Sequence, residues 1–101
     1  MSDERTAATF CEEALAEIVE AEDWFIDRNP AACVRFVENL DAALDRIERT
    51  PTAPPFYIGT TRAVLVTGFK YVVVYVVLSD RVEVIALAHT SRKPGYWADR
   101  I

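Results

Sequence analysis

The sequence predicts an α+β domain. An antiparallel two-helix hairpin packs on a small antiparallel sheet of three to four strands, in the order β-α-α-β-β-β. Three observations predict it. Apolar residues recur three and four apart across residues 11–47, which is helical spacing. Residues 50–61, with Pro51, Pro54, Pro55 and Gly59, then break all periodicity. Val- and Tyr-rich runs with short turn signals follow over residues 62–89. With 101 residues the chain is one domain, 1–101, because two separate cores would not fit.

The elements follow in order. Residues 5–8 read as a short opening strand. Thr9-Phe10-Cys11-Glu12 reads as a capping box, with Thr9 accepting from a first-turn amide and Glu12 reaching back. The first helix then closes at Trp24 and Phe25, near Asp27. Asn29-Pro30 restarts the chain, because Asn is a good N-cap and Pro at the first helical position loses no needed hydrogen bond. The second helix carries Cys33, Phe36, Val37, Leu40, Ala43, Leu44 and Ile47 as one apolar stripe. Thr50-Pro51 stops it. Strands are expected at 62–67, 69–78 and 81–89, with a turn at Ser79-Asp80 and another at Lys93-Pro94-Gly95. The strand at 69–78 is apolar on both faces, so it is central and covered twice. The helices cover one side. The other falls to the tail and loop 50–61, to a second copy, or to a different chain.

Composition excludes many functions. The chain is 51% hydrophobic and 27% charged, the balance of a folding chain. Its longest apolar run, Tyr71 to Leu78, is eight residues, against about 20 for a membrane helix. Met1-Ser2-Asp3-Glu4-Arg5 is charged with no apolar run behind it, so no secretory signal is expected and the location is cytoplasmic. Two cysteines outside any CxxC pair exclude a disulfide framework, and Cys11 and Cys33 read as core packing. One histidine cannot complete a four-ligand Cys/His zinc site. Three scattered glycines make neither a dinucleotide fingerprint nor a P-loop, and no GxSxG elbow exists. No cofactor or metal is expected.

Charge is unevenly divided. Residues 1–50 hold five arginines and 13 acids, a balance of −8, whereas residues 51–101 hold six basic residues and three acids, a balance of +3. Such asymmetry orients a protein toward its partners. The second half is still far less basic than a nucleic-acid-binding surface.

The element order is joined by local wording: Ala21-Glu22-Asp23-Trp24-Phe25, then Asn29-Pro30-Ala31-Ala32 and Arg35-Phe36, with Leu40 to Pro51 continuing. Gly68 to Tyr75 makes a central strand, and Val84 to His89 is followed by Arg92, Pro94, Tyr96 and Trp97. This pattern, from about residue 9 onward, resembles the toxins of the RelE/ParE superfamily of type II toxin–antitoxin, or plasmid stabilisation, modules. RelE-like members cleave mRNA on the ribosome. ParE-like members poison DNA gyrase and lack the ribonuclease residues. Both are silenced by an antitoxin. The resemblance implies a ParE-like growth inhibitor that binds gyrase. The alternatives are a RelE-like endoribonuclease and a binding module that kept the fold. The implied partners are an antitoxin and either gyrase or the ribosome with mRNA. A homodimer and a toxin–antitoxin hetero-oligomer both stay open, and the acidic first helix suits a basic segment on a partner.

Cleaving RNA through its own 2′-OH needs a proton acceptor, a proton donor and a cation at the phosphate. In the RelE-like case His89 exchanges protons, Arg62 and Arg92 hold the phosphate, and Tyr96 donates a proton or stacks on a base. Lys70, Arg92, Lys93 and Arg100 supply charge toward a nucleic acid or protein target. Structural roles compete with these: His89 as a hydrogen-bonding strand end, Arg62 paired with a helix acid, Tyr96 and Trp97 as a lid on the sheet. An acidic body also disfavours the ribosome, where phosphate contacts supply most of the affinity.

Overall fold

Seven elements follow one another in a computed structural model that describes residues 5–101. They are β1 (Ala8–Phe10), α1 (Glu12–Arg28), α2 (Pro30–Arg49), β2 (Arg62–Leu65), β3 (Tyr71–Val77), β4 (Val82–His89) and a 3-10 turn at Ala98–Arg100. The reading of Met1–Glu4 lies outside the described residues.

The strands order as β1-β4-β3-β2, so β3 and β4 are central. β2–β3 and β3–β4 are antiparallel, but β1 pairs parallel to β4, with Ala8 opposite Val82. The sheet is therefore mixed, not wholly antiparallel. The helix hairpin is the reason. α1 carries the chain onward from β1 and α2 brings it back, so α2 ends beside the start of β1. There the Thr6 N–H donates to the Glu48 carbonyl at 2.9 Å, and Arg5 pairs with Asp45 at 2.5 Å. β2 then starts at the end where β1 started, and β4, two antiparallel steps on, runs the same way as β1.

The opening strand lies at Ala8–Phe10 instead of residues 5–8, and the expected capping box does not form. Cys11 is the N-cap of α1, with no side-chain cap. The Thr9 hydroxyl donates to the Val82 carbonyl at 3.2 Å, because Thr9 belongs to the strand ladder. Glu12 and Glu13 remain in the first turn, where negative charge suits the helix dipole. The second cap forms as expected: Asn29 Oδ1 accepts from the Ala32 N–H at 3.2 Å, and Pro30 opens the helix.

Each face of the sheet has its own core. Phe36, Leu40, Ala43 and Ile47 of α2 and Ala14 and Ala21 of α1 bury Val64, Val73, Tyr75, Val82, Val84 and Leu87. The opposite face gathers Val74, Val76, Ile85, Ala86, Ala88 and Trp97, with Ile58 and Tyr96 against them. Loop 50–61 and the tail thus cover the second face from within the chain. A bulge makes this possible: Val74 faces Ala86 but Tyr75 faces Val84, so Ile85 is extra and joins Ala86 on the far side. The Tyr75 hydroxyl donates to the Pro51 carbonyl at 2.7 Å, which fixes the start of the loop.

Phe36 is fully buried and packs its ring on Phe25, Phe69 and Tyr71, with centroids 5.1–5.5 Å away. Phe36→Ala is expected to cost about 3–5 kcal/mol of folding stability, read from urea unfolding.

Candidate functional site

A groove of about 620 Å³ opens between α1, the β2–β3 turn and the end of β4. Its apolar part is Ala21, Phe25, Phe69, Tyr71 and Leu87, and its polar rim is Glu17, Glu20, Lys70, His89 and Arg92. The turn that forms one wall needs Gly68: Phe69 N–H closes on the Val66 carbonyl at 3.0 Å, and Gly68 sits at φ 83°. Trp24 stands at the margin, half exposed, with the Arg28 guanidinium 4.4 Å above its ring.

The groove unites three of the residues expected from sequence, Lys70, His89 and Arg92. His89 Nδ1 accepts from the Ser91 backbone N–H at 3.1 Å, with the Ser91 hydroxyl at 2.7 Å. A backbone N–H only donates, so Nδ1 keeps its lone pair and Nε2 carries the proton of the neutral ring. The ring stands edge-on to Tyr71 at 5.0 Å. Arg92 is half exposed, stacks 3.8 Å over the Tyr96 ring and reaches within 3.7 Å of Glu17.

Glu17 is the centre of the arrangement, and sequence reasoning missed it. Its carboxylate is 12% exposed and faces the Arg100 guanidinium, 15% exposed, at 2.9 and 3.0 Å. It also accepts from the Tyr96 hydroxyl at 2.7 Å and the Leu87 N–H at 3.0 Å. Arg100 in turn donates to the Ile85 carbonyl at 2.9 Å, and the Cys11 thiol reaches that same oxygen at 3.4 Å. These contacts finish an unpaired edge. β1 covers β4 only as far as Val84, and beyond it Glu17 and Arg100 satisfy the groups a neighbouring strand would take. A signal existed: position 17 falls between Ala14 and Ala21 on the buried stripe of α1, where a lone acid requires a cation.

Burial, the hydrogen bond to Glu17 and the charge of that carboxylate together push the Tyr96 phenol well above its ordinary range. Such a group is a weaker acid than a free tyrosine. The hydrogen bond to Glu17 raises Arg100 further, so it stays charged. Arg62 stands elsewhere. It faces Tyr75 across β2–β3, while His89 faces Tyr71, four residues or roughly 13 Å further along β3 on its other side. Arg62 holds the loop: Nη1 donates to the carbonyls of Thr52 and Pro54, the guanidinium lies 4.3 Å over Phe56, and Nε is buried without a partner. Lys93 is exposed in the turn of Pro94 and Gly95, away from the groove, and Gly95 takes φ 87° there as that turn demands. Among the described residues no group of three or more His, Cys, Asp or Glu is placed to hold a metal, and no helix is long and apolar enough to cross a membrane.

The fold is that of a small α+β protein, a two-helix hairpin on a four-stranded mixed sheet with a groove at one end. A family model described as "ParE toxin of type II toxin-antitoxin system, parDE" matches residues 9–94, and the chain belongs to that family. A solved structure described as the chromosomal ParDE TA system from P. aeruginosa superposes with a TM-score of 0.72 at 9% identity, over 83% of this chain and 95% of that one. At that identity the likeness concerns the fold. No curated protein sequence matches the chain.

Two outcomes are expected. Glu17→Gln leaves Arg100 mostly buried without its counter-charge, and urea unfolding should lose about 3 kcal/mol. The second concerns alkali. Below about pH 10 the Tyr96 phenol is neutral in folded and unfolded chains, and its contribution is complete. Above that, the unfolded chain ionises first, so stability falls as pH rises through the raised folded value. Thermal melts from about pH 8 to about pH 11 should show a shallower fall in Tyr96→Phe. A residual fall stays, because burial also raises Tyr71 and Tyr75.

Proposed function

We propose that this ParE-family chain inhibits growth by binding DNA gyrase in the cytoplasm, does no chemistry itself, and is neutralised by a cognate antitoxin. One observation carries the reading. The basic tail is organised around a buried carboxylate. RNA cleavage needs a base, an acid and a cation converging on one phosphate. Here Tyr96 and Arg100 are bound to Glu17, whose charge repels a phosphate, and Arg62 stays with the loop on the far side of β3. The groove, apolar with a charged rim, suits a partner segment. That the P. aeruginosa structure is described as a ParDE TA system supports an antitoxin as one such partner.

A second reading, RelE-like mRNA cleavage, is favoured by one observation: Lys70, His89 and Arg92 share the groove rim. Induced expression in a bacterial host without antitoxin separates the two, with labelled precursors following DNA synthesis and translation. The expected result is early loss of DNA synthesis, with purified protein inhibiting supercoiling by gyrase. His89→Ala should retain the inhibition to within about twofold, a shift well under 1 kcal/mol. Early loss of translation, with mRNA cut on ribosomes and the cuts lost in His89→Ala or Arg92→Ala, overturns the reading. Normal growth despite folded expression leaves a binding module on the same fold.

A further inference from the structure

α1 presents a second surface that the groove does not use. Leu15, Val19 and Ile26 are 49%, 53% and 53% exposed. Spaced by four and seven residues, they form one stripe about 16 Å long. Glu17, Glu20 and Trp24 line the groove flank of α1, and helical rotation puts the stripe on the opposite flank. Beside it, toward solvent, stand Glu12, Asp23 and Asp27, all exposed. The helix carries seven acids and one arginine, Arg28, in 17 residues.

Charge decides what fits. Two copies meeting through this stripe would set acids against acids, which is repulsive. Nucleic acid is repelled for the same reason. A helix with apolar residues at matching intervals and Lys or Arg along its edges satisfies both features: its apolar side covers the stripe and its cations meet the acids. We propose that the Leu15–Val19–Ile26 stripe docks a basic amphipathic helix of a partner protein. The stripe lies outside the groove, whose lining includes none of these three residues.

The probe is a synthetic helical peptide of about 18 residues, with Leu at the matching intervals and Lys on both edges. A second peptide has Glu at every Lys position. Binding is followed by fluorescence anisotropy of the labelled peptides against the full chain. The Lys peptide is expected to bind, to weaken as salt rises from about 50 to about 500 mM, and to bind Leu15→Gln/Val19→Gln at least about tenfold more weakly. The Glu peptide is expected not to bind. Both substitutions are at exposed sites, and unchanged melting keeps the comparison valid. Three results overturn the proposal: no binding of the Lys peptide, equal binding of the two peptides, or equal binding by the double variant. Sedimentation supplies a fourth. A dimer lost in the double variant means that a second copy occupies the stripe.

Discussion

A carboxylate out of water is the constraint around which this molecule closes. Glu17 sits in the middle of α1, mostly buried, and an unpaired charge there would be strongly destabilising. Its oxygens are met by the Arg100 guanidinium, the Tyr96 hydroxyl and the Leu87 amide. One side chain thus ties the first helix to the last strand and to the tail. The tail in turn places Trp97 on the far face of the sheet. Without that anchor the second core would have only the loop over it. Such a pair need not add net stability compared with an apolar equivalent. What it does here is join α1, β4 and the tail through one carboxylate.

The same centre shapes the function. The basic tail looks, in one dimension, like a set of free cations. In three dimensions much of that charge is used internally. Arg100 belongs to Glu17, and Arg92 is shared between Tyr96 and the groove. What the molecule offers outward is a groove with an apolar floor and a mixed rim and, on the opposite flank of α1, an apolar stripe beside exposed acids. Under the proposed gyrase reading, both features serve contact with a protein.

Much of the fold was legible because its signals were local. Asn29-Pro30 and Pro94-Gly95 specify their cap and turn with neighbouring residues alone. The helical stripe of α2 needed only its period. Thr9 misled for a related reason: the pattern that makes a capping box also fits a strand whose Thr bonds across to β4. The parallel β1–β4 pair joins residues over 70 positions apart, and no local pattern encodes it. Of the candidate site, Lys70, His89 and Arg92 converge because the β2–β3 turn and the end of β4 lie side by side. Arg62 does not join them, since its place on β2 depends on strand pairing that composition cannot reveal. Glu17 has partners 70 to 83 residues away, and only its position on a buried stripe hinted at its role.

That long reach has a consequence for synthesis. Chains are made from the N-terminus, so α1 and α2 emerge well before β4 and Arg100. In that interval Glu17 lacks its counter-ion, β1 lacks its neighbour, and the apolar side of the hairpin lacks a sheet. Two helices with that much uncovered surface are marginal alone. The contacts that satisfy Glu17 are therefore incomplete until Leu87, Tyr96 and Arg100 are all available to it. Until then the groove, which needs both halves of the chain, does not exist.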